Sequence, residues 1–575
     1  MALLDNHSPT EFPNRLCRPD LPVAGPPRPR AAVLGLLLLA CLLPRLWVGV
    51  QQDSLCPDAV EYLEIADALQ QGNQAGAFAY LDLNVYPPLL LLLRYLGGPH
   101  WVIACGAWSL AMATLTVLPL YGLVRRQFRQ RIAVLACLLY ALHPRLILHS
   151  PLILRDPTFW FFFLLALYLQ WRAVTELRWW LFLTAGAATF LAIHTRSEGW
   201  MLLLPLATWG TRRLWVLSER RLRWRLIGGI VTCLAVIPLT TVLANVAIFR
   251  SQAKWQTAST RHFAYAWLWL CGEQEIDAAA LGPAVPAGER AADAGPEALR
   301  VKSPLIQQPV VRIHQRVFVK FVKVFTYVYG LIILAGVWRL RRNLWRTDTL
   351  PFFFIMLAML AGIWIRYNVL PIDERYYFTI LLVSLPGLGI GAMQIAEWLD
   401  GLVRRVRRCG ADCQSAGLRL AILSGLLVAV AVASAIDAVR VGGNMFRAWR
   451  EQAELGRWIL HERGAQQPLT GNNEEMRLVA YYAQGYIVPL SIEQLQGLPP
   501  TWPGPWVSPG VMVFWDDRRH TAAPSEHRQI LEGQSEIPYR QVPPGVLPES
   551  CLDLTVLVHR PAELPPHAVA RLPLP

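Results

Sequence analysis

The sequence predicts an α-helical polytopic membrane protein of about eleven transmembrane helices with a small C-terminal extracytoplasmic α/β domain. Three observations predict it. The 575 residues are 54% hydrophobic and only 16% charged, with a mean hydropathy of +0.33, too little polar surface for a soluble chain of this size. The apolar residues fall in blocks of about 17 to 25, the length a helix needs to cross hydrocarbon. The basic residues between those blocks crowd into alternate loops, as cytoplasmic loops do.

A cytoplasmic tail, residues 1–30, precedes a transmembrane part, 31–440. Arg28 and Arg30 ahead of AAVLGLLLLACLL resemble a signal peptide, but no small-residue cleavage site follows and Pro44 and Arg45 interrupt the far end, so 31–50 reads as an uncleaved first span. Further spans are expected near 101–124, 131–148, 157–171, 179–195, 199–210, 226–248, 323–338, 350–366, 376–398 and 418–439. The clusters Arg125, Arg126, Arg129 and Arg131; Arg172 and Arg178; Arg212 to Arg225; Arg339 to Arg346; and Arg404 to Arg408 then share one side with the N-terminus. The opposite side opens with an outer loop, 51–100, whose part from 51 to 86 has no Lys or Arg but holds Asp53, Asp58, Glu61, Glu64, Asp67 and Asp82.

A second long outer loop, 249–322, is rich in Ala, Gly and Pro from Asp277 to Arg300. The tail, 441–575, lacks a spanning block. There VMVFW and LTVLV have strand character, EQAELGRWILHE and NEEMRLVAYYAQ read as helices, and Pro and Gly turns separate them.

The formal charge of +14 does not indicate nucleic acid, because the arginines lie between apolar blocks rather than on one face of a soluble domain. None of the 10 cysteines forms a CxxC pair. Cys409 and Cys413, spaced CxxxC, lack the further ligands that a structural zinc requires. Cys56 and Cys271 fall in loops on the outer side, where a disulfide is an open option. No metal set is assigned. A divalent cation stays open as a cofactor, since hard carboxylate oxygens could bind one although no dense cluster demands it.

The outer turns carry the chemistry. In DSLCPDAVEYLEIADALQQG, Pro57 suits a first helical turn, and Asp58 would sit at its positive end, while Ala59, Tyr62, Leu63, Ala66 and Leu69 make an apolar face for a helix lying on the interface. An ionised carboxylate there can take a proton from an attacking hydroxyl, or it can merely cap the helix. HSPLILRDPTFWFFF puts Arg155 and Asp156 at the mouth of a span, as interface markers or as site residues. IHTRSEGW puts His194, Arg196 and Glu198 at the next outer turn, where Arg196 is expected to pair with Glu198 or Asp156, either as a purely structural ion pair or as part of a substrate contact. WIRYNVLPIDERYYF gathers Arg366, Asp373, Glu374, Arg375 and Tyr376 where positive residues are disfavoured. Arg375 then either engages a phosphate through its planar fork or neutralises Glu374. Of the polar residues near the end of the third span, His143 and His149 read as satisfied rather than as ligands.

The stretch from Asp58 through Tyr62, Ala66 and Leu69 to Gly72, followed by YPPLL at Tyr86 to Leu90, resembles the membrane glycosyltransferases of the GT-C fold. The nearest branch holds the dolichyl-phosphate-mannose protein mannosyltransferases and the lipid A aminoarabinose transferases. The resemblance implies an inverting transfer of a sugar from a polyprenyl-phosphate donor to a glycan, lipid or protein acceptor at the outer membrane face. It implies Asp58 as the catalytic residue, acting as base, with Asp53 as its rival in the same loop. It also implies Asp156, Arg155, Arg196, Glu198, Arg375 and Tyr376 as substrate-binding residues. The outward side is either a bacterial cell envelope or an organelle lumen, and with no retention signal in the sequence the expectation is a bacterial inner membrane with the C-terminal domain outside; membrane lipid is a partner and nucleic acid is not.

Two other classes compete. A transporter or flippase would place binding groups near the midplane on repeated halves, whereas these charges lie at outer turns and no repeat is evident. A scaffold acting through its external tail gives no reason for an acid-rich, Arg-free first loop.

Overall fold

The computed structural model describes residues 31–52, 54–72, 85–249, 310–341, 348–367, 374–407, 416–463, 465, 468–471, 473–484, 486–489, 511–515, 539–541 and 554–559. Asp53, Asp373, Cys271, Cys409, Cys413 and the Ala/Gly/Pro-rich stretch lie outside them. The chain divides into two compact units, one of Met1–Val50 with Glu64–Val439, the other of Gln51–Leu63 with Arg440–Pro575.

Helices dominate the described residues. They are α1 (Ala31–Gln51), α2 (Pro57–Gln70), α3 (Tyr86–Gly97), α4 (Trp101–Leu115), α5 (Val117–Gln127), α6 (Gln130–Leu142), α7 (Pro144–His149) and α8 (Arg155–Glu176). There follow α9 (Trp179–Thr195), α10 (Leu203–Val216), α11 (Arg220–Phe249), α12 (Val310–Leu340), α13 (Leu350–Tyr367), α14 (Phe378–Arg407) and α15 (Ala416–Arg463). Helix α2 crosses from the second unit to the first after Leu63, and α15 crosses the other way after Val439.

Six of the described helical stretches are long and apolar enough to cross a membrane, and a seventh qualifies if the pair Val317–Phe325 and Val328–Leu340, bent by 93°, counts as one. The expected spans at 131–148, 179–195 and 350–366 coincide with shorter apolar helices, Gln130–Leu142, Trp179–Thr195 and Leu350–Trp364. That at 199–210 begins in a 3-10 turn, Ser197–Leu202. The difference is physical: an apolar run records hydropathy, whereas Pro144 and Gly199 end or interrupt the helices inside such runs.

The first unit packs α6, α8, α9, α12 and α14 around a continuous apolar core that includes Tyr140, Trp160, Phe163 and Phe378. Lipid supplies no hydrophobic drive between helices, so close approach of small residues carries much of the packing. A Cβ on Gly391 would collide with the carbonyl of Ile332, one on Gly336 with that of Gly387, and one on Gly389 would stand 2.7 Å from that of Ile132. Glycine is required here for proximity, and it sets α14 against α12 and α6.

Arg45, fully buried near the end of α1, is solvated by backbone. It donates to the carbonyls of Cys41 (2.9 Å), Ala141 (2.9 Å) and Tyr140 (3.2 Å) and to Ser150 Oγ (2.9 Å). Two of those acceptors belong to the last turn of α6, whose carbonyls have no intrahelical donor. The cation thereby caps one helix from another, favoured by the negative end of the dipole. At the far end of α8, Glu176 takes a bidentate contact from Arg172 (2.8 and 3.0 Å) and a third from Arg126 (3.0 Å), joining α8 to α5.

In the second unit, α16 (Asn473–Ala483) accompanies strands β1 (Pro468–Gly471), β2 (Tyr486–Pro489), β3 (Val511–Trp515), β4 (Tyr539–Gln541) and β5 (Leu554–His559). They form one sheet in the order β2-β1-β3-β5-β4, with β1 parallel to β2 and β3, and β5 antiparallel to β3 and β4. The β1–α16–β2 crossover supplies the helix that a parallel pair needs. Gly456 of α15 allows α16 to approach, since a Cβ there would lie 2.5 Å from the carbonyl of Val479.

Candidate active site

Arg196 is the centre of a buried charge cluster in the first unit. It caps α9 in extended conformation, its N–H still bonded to the carbonyl of Ala192 (2.9 Å), and its own carbonyl accepts from the N–H of Gly199 (2.9 Å). The turn folds back so tightly that a Cβ on Gly199 would lie 2.5 Å from the backbone nitrogen of Ile193. Only glycine admits that path, and it places Arg196 and Glu198 side by side.

The guanidinium donates from Nη2 to Glu198 Oε1 (2.6 Å) and from Nε to both Glu198 oxygens (3.2 Å each), while Nη1 bonds Asp156 Oδ1. Asp156 comes from the first turn of α8, whose positive end favours a carboxylate. Aromatic rings bracket the cation, with Tyr376 5.3 Å and Phe159 5.9 Å from centroid to Cζ. Asp156 and Arg196 are 1% and 6% exposed, so water does little to screen the cluster.

Burial works against the charged form of Glu198, but the charge of Arg196 and its hydrogen bonds reverse that and hold the carboxyl at about 2, with Arg155 adding to the effect. Burial also works against the charge of Arg196, and Asp156 and Glu198 overcome it, so the guanidinium stays protonated. Two acids face one cation, and Asp156 Oδ2 is buried with no hydrogen-bond partner among the described residues.

Asp156, Arg196, Glu198 and Tyr376 therefore meet, and Arg155 lies near enough to act on Glu198. Arg375 immediately precedes Tyr376 in the 3-10 turn Glu374–Tyr377. Asp58 occupies the first turn of α2, on the segment of that helix assigned to the second unit. The apolar positions Ala59, Tyr62, Leu63 and Ala66 are buried. Further along α2, Asp67 pairs with Arg94, which also stacks 5.3 Å from the ring of Trp101.

Of the two histidines expected to be satisfied, His149 is, whereas both ring nitrogens of His143 are buried with no hydrogen-bond partner among the described residues. His149 Nδ1 lies 2.8 Å from the carbonyl of Arg145, to which it donates, and His143 rests edge-on against Tyr329 at 4.6 Å. Sequence reasoning missed Arg145, which pairs with Glu374 (3.2 Å) and Asp437 (3.6 Å). The signal that singled out Arg375, a cation where the topology disfavours one, applies equally to Arg145 at the end of its apolar run. Among the described residues no group of three or more His, Cys, Asp or Glu could hold a metal ion.

Residues 89–245 match the family model described as dolichyl-phosphate-mannose-protein mannosyltransferase. That segment carries Asp156, Arg196 and Glu198, whereas Asp58 and Arg375 lie outside the match. No curated protein matches the chain by sequence. Among solved structures, the chain is similar to ArnT from Cupriavidus metallidurans bound to undecaprenyl phosphate, with 13% identity and a TM-score of 0.49 over 92% of this chain and 97% of that one. It is also similar to the oligosaccharyltransferase AglB from Archaeoglobus fulgidus in complex with an inhibitory peptide and a dolichol-phosphate, with 11% identity and a TM-score of 0.44 over 80% of this chain. The matched part spans 64% of the length of AglB.

Proposed function

We propose that the chain is an inverting membrane glycosyltransferase that moves a sugar from a polyprenyl-phosphate donor to a glycan, lipid or protein acceptor. The observation that carries the reading is the meeting of Asp156, Arg196, Glu198 and Tyr376, three sequence-distant turns converging on one cation. Its location in the segment that matches a family acting from a dolichyl-phosphate sugar supports it further. The eleven-span topology, with the N-terminus in the cytoplasm of a bacterium and the sheet-bearing tail outside, belongs to the same proposal. It puts these turns at the depth of a lipid phosphate.

In this scheme the carboxylate of Asp58, or of its rival Asp53, takes the proton of an acceptor hydroxyl or amine as the nucleophile attacks the anomeric carbon. The bond from that carbon to the phosphate oxygen breaks, and polyprenyl phosphate leaves with the electron pair. Arg375 meets the growing phosphate charge with a fixed guanidinium, and Tyr376 stacks on Arg196. Arg196 is locked by its acids and serves as scaffold, leaving Asp156 Oδ2 to accept a hydrogen bond from substrate. Inversion follows from a single displacement, with no covalent enzyme intermediate.

The test is mass spectrometry of envelope glycans and glycolipids in cells lacking the gene, complemented with wild type or Asp58→Asn. A glycoform lost on deletion should return with wild type and stay absent with the variant at equal protein level, a loss of at least about a hundredfold in transfer. Full restoration by Asp58→Asn would remove Asp58 from the role of base.

A further inference from the structure

Arg145 stands at the start of α7, where an apolar run ends, and its side chain is only 11% exposed. Its Nη1 lies 3.2 Å from Glu374 Oε2, and its Nε lies 3.6 Å from Asp437 Oδ2, an ion pair too long to be a hydrogen bond. Both Arg145 Nε and Asp437 Oδ2 are buried without a hydrogen-bond partner among the described residues. Three elements converge on this guanidinium: α7, the 3-10 turn Glu374–Tyr377, and α15 through Asp437.

A four-residue 3-10 turn has little internal stability, so its neighbours decide where it points. Each residue flanking Arg375 is held from outside. Glu374 is held by Arg145, and Tyr376 by Arg196. Tyr377 donates its hydroxyl to the carbonyl of Val317 (3.0 Å), and Phe378 packs edge-on between His149 (5.0 Å) and Trp160 (5.6 Å). His149 in turn bonds the carbonyl of Arg145 itself. The backbone on both sides of Arg375 is thus anchored through two other arginines.

We propose that Arg145, clamped between Glu374 and Asp437, is a positioning residue that aims Arg375 at the phosphate of the lipid-linked donor. The inference rests on the donor-site reading above and adds to it a residue outside that site. Without the Arg145 cation, the turn would lose the ion pair that ties it through Glu374 to α7, and α15 would lose its tie to the same point through Asp437. The clamp also gives Glu374 a cation other than its neighbour Arg375. Asp437, more weakly engaged, ties α15 to the same point.

The experiment uses the full chain in lipid nanodiscs and measures binding of undecaprenyl phosphate, with undecaprenol as the phosphate-free control. Wild type should prefer the phosphate, and Arg375→Gln should lose that preference. Arg145→Gln should weaken phosphate binding about tenfold, the loss expected when a charge-assisted contact is misaimed, while undecaprenol binding stays unchanged. A role limited to stability would weaken both ligands together. Should Arg145→Gln fail to fold, Glu374→Gln carries the test and should show the same selective loss at an unchanged Tm. Folded Arg145→Gln or Glu374→Gln with wild-type phosphate preference, beside an Arg375→Gln that has lost it, overturns the clamp and leaves the donor site standing. A wild type indifferent to the phosphate, or an Arg375→Gln that keeps the preference, overturns both.

Discussion

Glu198 owes its ionisation at low pH chiefly to Arg196, and that dependence has a sign. Its carboxyl is held at about 2 in the folded chain against an ordinary 4.5. The pairing with Arg196 therefore contributes fully above pH 4.5 and is lost as pH falls through 2. At neutral pH it stabilises the fold by on the order of 3 kcal/mol. Glu198→Gln should lower Tm at pH 7, and its gap to wild type, followed by differential scanning fluorimetry, should narrow steadily below pH 4.5. A gap that does not change between pH 7 and 3 would show that the charge of Glu198 is not what stabilises the turn. The acids and arginines of the outer turns were legible in the sequence because topology disfavours cations there. The pairing of Arg196 with Glu198 or Asp156 was legible as well, since all three fall at outer turns, whereas that of Arg145 with Asp437 was not, because Asp437 lies on a helix far along the chain.

Helix contacts follow a rule that hydropathy cannot express. Gly391, Gly336 and Gly389 look like neutral members of apolar runs, yet each lies against a backbone carbonyl of a neighbouring helix. Gly391→Val should force α14 from α12 and lower stability by about 1 to 3 kcal/mol, read as a drop in Tm. A Tm equal to wild type would refute so close an approach. In the second unit the link is a hydrogen bond. Tyr482 of α16 accepts from the N–H of Leu55 (3.2 Å) just before α2, and Arg457 of α15 stacks 4.8 Å from the same ring. Tyr482→Phe removes that acceptor at a cost of about 0.5 to 1.5 kcal/mol. Amide exchange at Leu55 should accelerate accordingly, by hydrogen-exchange mass spectrometry of peptides from 54 to 63; unchanged exchange would exclude the tie. Apolar blocks announced where helices lie, but not that one run breaks at Thr116 between α4 and α5 or that another turns at His143, because those breaks depend on packing and local backbone.

At the scale of the molecule, the compact unit that holds the C-terminal sheet also takes in residues 51–63, and with them Asp58. A sequence read by hydropathy divides the chain into loops and tail and has no term for that association. The membrane class was legible in composition and block length, and the GT-C resemblance in the motifs from Asp58 to Leu90. The sugar and the acceptor leave no comparable mark, since nothing in spacing or charge selects one hydroxyl from another. The proposed function requires this chain to break the bond between sugar and polyprenyl phosphate rather than carry the lipid across. The direct measurement reconstitutes purified chain in liposomes made from membrane lipid of the deletion strain, which holds both loaded donor and unmodified acceptor, and follows both by mass spectrometry. Wild type should release free polyprenyl phosphate in step with glycosylated acceptor, and Asp58→Asn should release neither. Redistribution of intact lipid-linked sugar between leaflets, with no free polyprenyl phosphate formed, would identify a flippase in place of a transferase.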